Sequence, residues 1–176
     1  MNARPQAVAF VAPSGTGKTT LVEAVIRTLR GRGWRVGALK HDAHDFDIDH
    51  PGKDSHRFRE AGAGTTAIAS ATQVAVMRTT ASAWSLDRVL ATCFGDEDLV
   101  LVEGYSTGDL PKIAVHRAAT GQPLRVGIDD PDLIAVVTDV ELETGVRCFA
   151  LDRPAEVAAF LETTLIRRRP LTRVPQ

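Results

Sequence analysis

Cysteine is scarce. The chain has 176 residues and two cysteines, Cys93 and Cys148, far apart and without CxxC spacing. That excludes a disulfide framework and a cysteine-based metal or redox motif. Both cysteines are expected to be small buried hydrophobes. No apolar run approaches the roughly 20 residues that a membrane span needs. Met1–Gln6 leads into a short apolar run without a cleavable apolar core. The expectation is a cytoplasmic protein. Charge of one sign is also lacking. The net charge of −1 gives no global attraction to nucleic acid or to an anionic membrane. Any anion binding must come from a local site. No internal repeat and no domain linker interrupt the chain.

The sequence does contain an alternation of strand and helix signals. Residues 7–12 (AVAFVA) form a short apolar run ending at a glycine-containing turn, as a buried strand does. Residues 19–30 carry Leu21, Val22, Val25, Ile26 and Leu29 at helical spacing, and Gly31 and Gly33 stop that helix. Residues 34–39 (WRVGAL) read as a second strand. Strand, turn, helix, strand implies a right-handed crossover and a parallel sheet. Residues 40–55 form a polar loop, and Asp54 or Ser55 could cap a short helix ending near Ala61. Residues 65–69 and 73–78 resemble a hairpin. Residues 85–94 have helical spacing, and 99–102 (LVLV), 112–115, 133–137 and 148–151 read as strands. A last helix is expected over 155–166, followed by a basic, frayed tail from Arg167. These signals describe one α/β domain over residues 1–166, with 167–176 as a flexible tail.

Residues 12–20 (APSGTGKTT) fit the spacing of a phosphate-binding P-loop, with Ala12 where the first glycine usually stands. Gly15 and Gly17 permit dihedrals that turn backbone N–H groups inward into an anion nest. Ser14, Gly15, Thr16, Gly17, Lys18, Thr19 and Thr20 make up this nucleotide site. The helix that follows adds roughly half a positive charge at its N-terminus. Lys18 would reach the β- and γ-phosphates, and Thr19 would offer its hydroxyl to Mg2+.

Ligands of parallel sheets sit at the carboxyl ends of strands. Glu103 follows LVLV directly and lies at that end. Asp98 precedes the run, and five strand steps of about 3.3 Å put it roughly 16 Å away. Glu103 is therefore the acid expected beside the metal, holding Mg2+ through water or orienting an attacking water. Asp139 ends residues 133–139 on the same edge. It could accept hydrogen bonds from the N1 and N2 groups of guanine, or could be an ordinary strand-end turn residue; no NKxD motif is present.

His41, Asp42, His44, Asp45, Asp47, Asp49, His50, Asp54 and His56 crowd one stretch. A solvated acidic loop, a substrate-sensing or switch loop containing His41, Asp47, Asp49, Asp54 and Arg57, and a Zn2+ or Ni2+ site are all compatible with these residues. Lys53 and Arg57 could meet an anion or balance the aspartates.

Three segments together resemble the MobB family, the GTP-binding adaptor proteins of molybdopterin-guanine dinucleotide biosynthesis. They are APSGTGKTTL, GWRVGALKHDAHDFDIDHPGKDSHRFREAGA, and DLVLVEGY followed by PKI. The likeness runs from about Val8 to Val115, and its middle segment is more distinctive than the P-loop. The resemblance implies a three-layer P-loop NTPase fold with a mainly parallel sheet and an added β-hairpin. It implies GTP and Mg2+ as cofactors, weak hydrolysis at Lys18 and Glu103, and an assisting role beside MobA, the guanylyltransferase, with molybdopterin as a further ligand. It also implies a homodimer, to which the hairpin is assigned. A small-molecule kinase is the alternative, weakened because no arginine-rich lid follows Glu103.

Overall fold

The computed structural model describes residues 5–41, 46 and 48–166. Its described residues form two compact units. One combines the chain up to His41 with the chain from Val89 onward, and the other lies between Asp42 and Arg88.

The larger unit is built on a six-stranded sheet. Its strands are β1 (Ala7–Val11), β2 (Val36–Lys40), β5 (Leu99–Glu103), β6 (Lys112–Val115), β7 (Leu133–Thr138) and β8 (Arg147–Ala150), in the order β2-β5-β1-β6-β7-β8. Every pairing is parallel. Strands buried on both faces read as continuous apolar runs, which is why AVAFV and LVLV lack alternation. On one face Val8, Phe10, Leu99, Leu101, Ile113 and Val115 pack with helix α1 (Lys18–Gly31) and helix α4 (Pro154–Thr164). The apolar stripe of α1, Leu21, Val22, Val25 and Leu29, is buried there. Each such side chain contributes about 1.5–3 kcal/mol. The opposite face carries Ala9, Val100, Val102 and Val136, also fully buried. There Gly37 of β2 matters: a Cβ at that position would lie 2.7 Å from the Phe94 ring, so only glycine admits it.

At the amino ends of β6 and β7, away from the loop between β1 and α1, Lys112 is buried. Its ammonium donates to both oxygens of Asp130 at 3.2 Å and to Asp132 at 3.1 Å. Burial alone would lower its pKa, but the Asp132 and Asp130 carboxylates outweigh that and leave it raised. Asp130 is held below its ordinary range, first by the Asp132 backbone N–H and then by Lys112.

The smaller unit holds helix α2 (Asp54–Glu60) and an antiparallel hairpin of β3 (Thr65–Ala69) and β4 (Val74–Arg78). Helix α3 (Leu86–Cys93) spans the boundary between the units. In the hairpin Ala67 faces Val76 and Ala69 faces Val74, and all four are exposed.

Two expectations are corrected. Cys93 and Cys148 are exposed rather than buried. Cys148 lies on an edge strand whose one buried residue is Phe149, and Cys93 ends α3, where Leu90 is the buried position. Neither Asp54 nor Ser55 caps α2. Its N-cap is Lys53, without a side-chain bond, and the Ser55 hydroxyl is spent on Asp49 at 2.9 Å. The tail expected from Arg167 lies outside the described residues.

Candidate phosphate site

β1 hands the chain to α1 through residues 12–17. Gly15 and Gly17 have φ of 80° and 87°, in the left-handed region that favours glycine. Gly17 is the N-cap of α1, and no acidic residue occupies the first turn. The positive end of the helix dipole is thus left uncompensated by carboxylates of its own helix. Thr16 is buried, and its hydroxyl donates to Pro13 O at 3.1 Å, pinning the loop internally. Ser14, Gly15, Thr19 and Thr20 are exposed along it.

Glu103 ends β5 in register with Phe10 of the adjacent β1. Its two oxygens are both engaged. Lys18 Nζ donates to Oε1 at 3.1 Å and Thr19 Oγ1 to Oε2 at 2.9 Å. The ion pair is sheltered, with the two side chains 17% and 14% exposed. A hydroxyl and a carboxylate facing each other are hard oxygen donors, the class Mg2+ takes. Asp98, at the other end of β5, is tied to Arg35 instead.

Beyond Glu103 the chain turns sharply. Gly104 has φ of 101°, and a Cβ there would meet His41 Cβ at 3.2 Å. Tyr105 follows at φ 57°, the one non-glycine residue with positive φ among those described. Its ring lies against His41, centroids 4.0 Å apart, and the His41 N–H donates to Glu103 O at 2.9 Å. His41 therefore adjoins the acid that ends β5. Burial pushes the Tyr105 phenol up.

On the other side of β1, β6 delivers a residue the sequence reading passed over. Arg117, two positions beyond the strand, donates from Nε to Thr16 O at 3.0 Å. The available signal was an arginine just past an apolar strand at the binding edge, but which strand borders β1 depends on long-range pairing. Asp139 follows β7. It is exposed, and its Oδ1 accepts the Ala118 N–H at 2.8 Å. It borders a wide-mouthed cavity of about 770 Å3 at the carboxyl ends of β7 and β8, with Glu141, Glu143 and Cys148.

The described residues of the acidic stretch beyond His41 lie in the smaller unit. Asp49 accepts from the His50 N–H at 3.0 Å, the Ser55 hydroxyl at 2.9 Å and Arg59 Nη1 at 3.4 Å. Asp49 thus organises the turn before α2. Asp54 and Arg57 form an exposed pair at 3.5 Å. Asp47 lies outside the described residues. Among the described residues no group of three or more His, Cys, Asp or Glu could hold a metal ion. None of the described helices is long and apolar enough to cross a membrane.

The sequence model of the family described as "Molybdopterin guanine dinucleotide synthesis protein B" matches residues 7–139. The molybdopterin-guanine dinucleotide biosynthesis adapter protein of Escherichia coli (strain K12) is 40% identical over 157 residues, covering 88% of this chain and 90% of that protein. The protein of the same name from Haemophilus influenzae is 39% identical over 154 residues, covering 86% and 85%. The crystal structure of Bacillus subtilis MobB superposes with a TM-score of 0.73 at 24% identity, covering 91% of this chain and 98% of that one.

Proposed function

The chain belongs to the molybdopterin guanine dinucleotide synthesis protein B family, and on that premise we propose that it binds GTP·Mg2+ and assists a guanylyltransferase of the MobA type. Its place is in molybdopterin guanine dinucleotide biosynthesis, as an adapter protein. The observation that carries the nucleotide reading is the pair of bonds from Lys18 and Thr19 to Glu103, at 3.1 and 2.9 Å. They join a loop with two left-handed glycines, an ammonium and a hard-oxygen pair at one strand edge.

In this reading the amides of residues 14–19 cradle the phosphates and Lys18 moves from Glu103 to the β- and γ-phosphates. Thr19 and Glu103 hold Mg2+, which when bound neutralises phosphate charge and polarises the terminal phosphoryl group. Slow hydrolysis fits this reading, since a carboxylate committed to a metal ion is a poor base for water. The exposed apolar face of Ala67, Ala69, Val74 and Val76 supports a homodimer through the hairpin. The cytoplasm is the compartment of this reading.

Calorimetry with Mg2+ present, comparing GTP with ATP and then adding molybdopterin, tests it. Micromolar or tighter GTP binding is the expected result. Absence of heat with either nucleotide would end the nucleotide reading.

A further inference from the structure

Arg117 uses little of its hydrogen-bonding capacity. Nε is bonded to Thr16 O at 3.0 Å. Among the described residues neither Nη nitrogen has a hydrogen-bond partner, and no carboxylate lies within ion-pair distance of it. The guanidinium lies over Gly17: a Cβ there would be 3.2 Å from Nη2, so the glycine keeps the space open. A guanidinium stays charged at any working pH and presents its terminal N–H groups as a fixed planar fork.

The sheet order gives this fork a direction. Lys18 and Thr19 turn toward Glu103 on β5, one side of β1. On the GTP reading, the γ-phosphate and metal end of the ligand lies there. The nucleoside must then extend over the other side, past β6 toward β7. That side carries Arg117 after β6 and Asp139 after β7, roughly 5 Å apart in strand spacing. The Ala118 N–H locks the two together by bonding Asp139 Oδ1 at 2.8 Å, and Asp139 Oδ2 has no partner among the described residues.

Guanine matches this arrangement. One edge offers two adjacent acceptors, O6 and N7, and the next offers two donors, N1–H and N2–H. Terminal arginine N–H groups take O6 and N7 together, the commonest specific arginine–base pairing. Adenine puts an amino donor where O6 would be. The geometry points to Arg117 as the guanine-selecting residue, its Nη groups on O6 and N7 while Asp139 accepts from N1 and N2. Nε remains on Thr16 O, which holds the guanidinium in place for the base. This assignment rests on the GTP reading above.

The test is calorimetry on the full chain with Mg2+, using GTP, 7-deaza-GTP, ATP and inorganic tripolyphosphate. 7-Deaza-GTP replaces N7 with CH. Wild type should bind it about tenfold more weakly than GTP. Arg117→Ala should lose ten- to hundredfold in GTP affinity, bind GTP and 7-deaza-GTP equally, and leave ATP nearly unchanged. Arg117→Lys should fall between. Equal binding of GTP and 7-deaza-GTP by wild type would overturn the assignment without any variant. So would a uniform loss across all three nucleotides in Arg117→Ala, since the arginine would then only brace the loop through Thr16. Tripolyphosphate binding without preference for GTP over ATP would remove the guanine assignment and leave the phosphate site standing. Failure to bind tripolyphosphate or any nucleotide would overturn the GTP reading and this inference together.

Discussion

The Lys18 ammonium reaches the Glu103 carboxylate at 3.1 Å across 85 residues of sequence. Neither residue faces the other by local geometry. β5 brings them together by pairing with β1 in parallel, with Phe10 opposite Glu103. The loop after β1 and the Glu103 carboxylate are therefore brought together by strand order, and they can be tested separately.

Lys18→Ala removes the loop's own side-chain cation. GTP affinity should fall at least a hundredfold by calorimetry, since charge-assisted bonds of this kind contribute about 1.5–3 kcal/mol each. Folding should weaken by about 1–2 kcal/mol, because Glu103 is left with its Thr19 bond and little solvent. GTP affinity equal to wild type would remove Lys18 from the site.

Glu103→Gln keeps the size of the side chain but loses the charge beside Thr19. Binding should persist within a few-fold while phosphate release slows by at least tenfold, measured in single-turnover assays. Turnover matching wild type would mean that Glu103 has no part in the chemistry.

The Lys112 cluster should respond asymmetrically to mutation. Removing both Asp130 and Asp132 with alanines leaves a buried ammonium alone, at a cost of about 3–5 kcal/mol in urea unfolding. Lys112→Met should cost less, about 1–2 kcal/mol, because the carboxylates it abandons are 21% and 41% exposed and can be hydrated. Equal costs would contradict the role assigned to burial.

The same cluster sets a pH window. Asp130 is lowered from its ordinary 3.8, so its contribution is present above that pH and lost as pH falls through the folded value. Lys112 is raised from 10.5, so its contribution is present below that pH and lost as pH rises through its folded value. Melting temperature against pH should show both limbs. Asp130→Asn should flatten the acid limb, and an unchanged limb would count against this origin.

The hairpin predicts an oligomeric state. Val74→Asp with Val76→Asp places charge on the exposed apolar face without touching the β1 loop. Light scattering should show a dimer in wild type and a monomer in the variant. A monomeric wild type would remove the hairpin from that role.

Much of this architecture was legible locally. β1, its loop and α1 show in residues 7–30 because apolar runs, glycines and helical spacing are short-range signals. The hairpin and the position of Glu103 at the carboxyl end of its strand were legible for the same reason. The six-stranded order was not, since β1 pairs with strands far along the chain. Arg117 was missed on that account: nothing near it in sequence shows that β6 borders β1. The exposure of Cys148 depends on β8 being an edge strand, again a matter of neighbours. The cap of α2 failed because the helix already begins at Asp54, which puts both candidates inside its first turn, and the Ser55 hydroxyl bonds Asp49.

The position of β1 also governs how the chain matures. Among the described residues it is the earliest strand to be synthesised, yet both its partners, β5 and β6, emerge more than half the chain later. Until they appear, Ala7–Val11 is an apolar segment with unpaired amides. Distant pairing of this kind slows folding to milliseconds or longer and prolongs exposure to aggregation. A ribosome-stalled fragment ending before Leu99 would hold the loop after β1 without Glu103 and a first strand without its sheet partners.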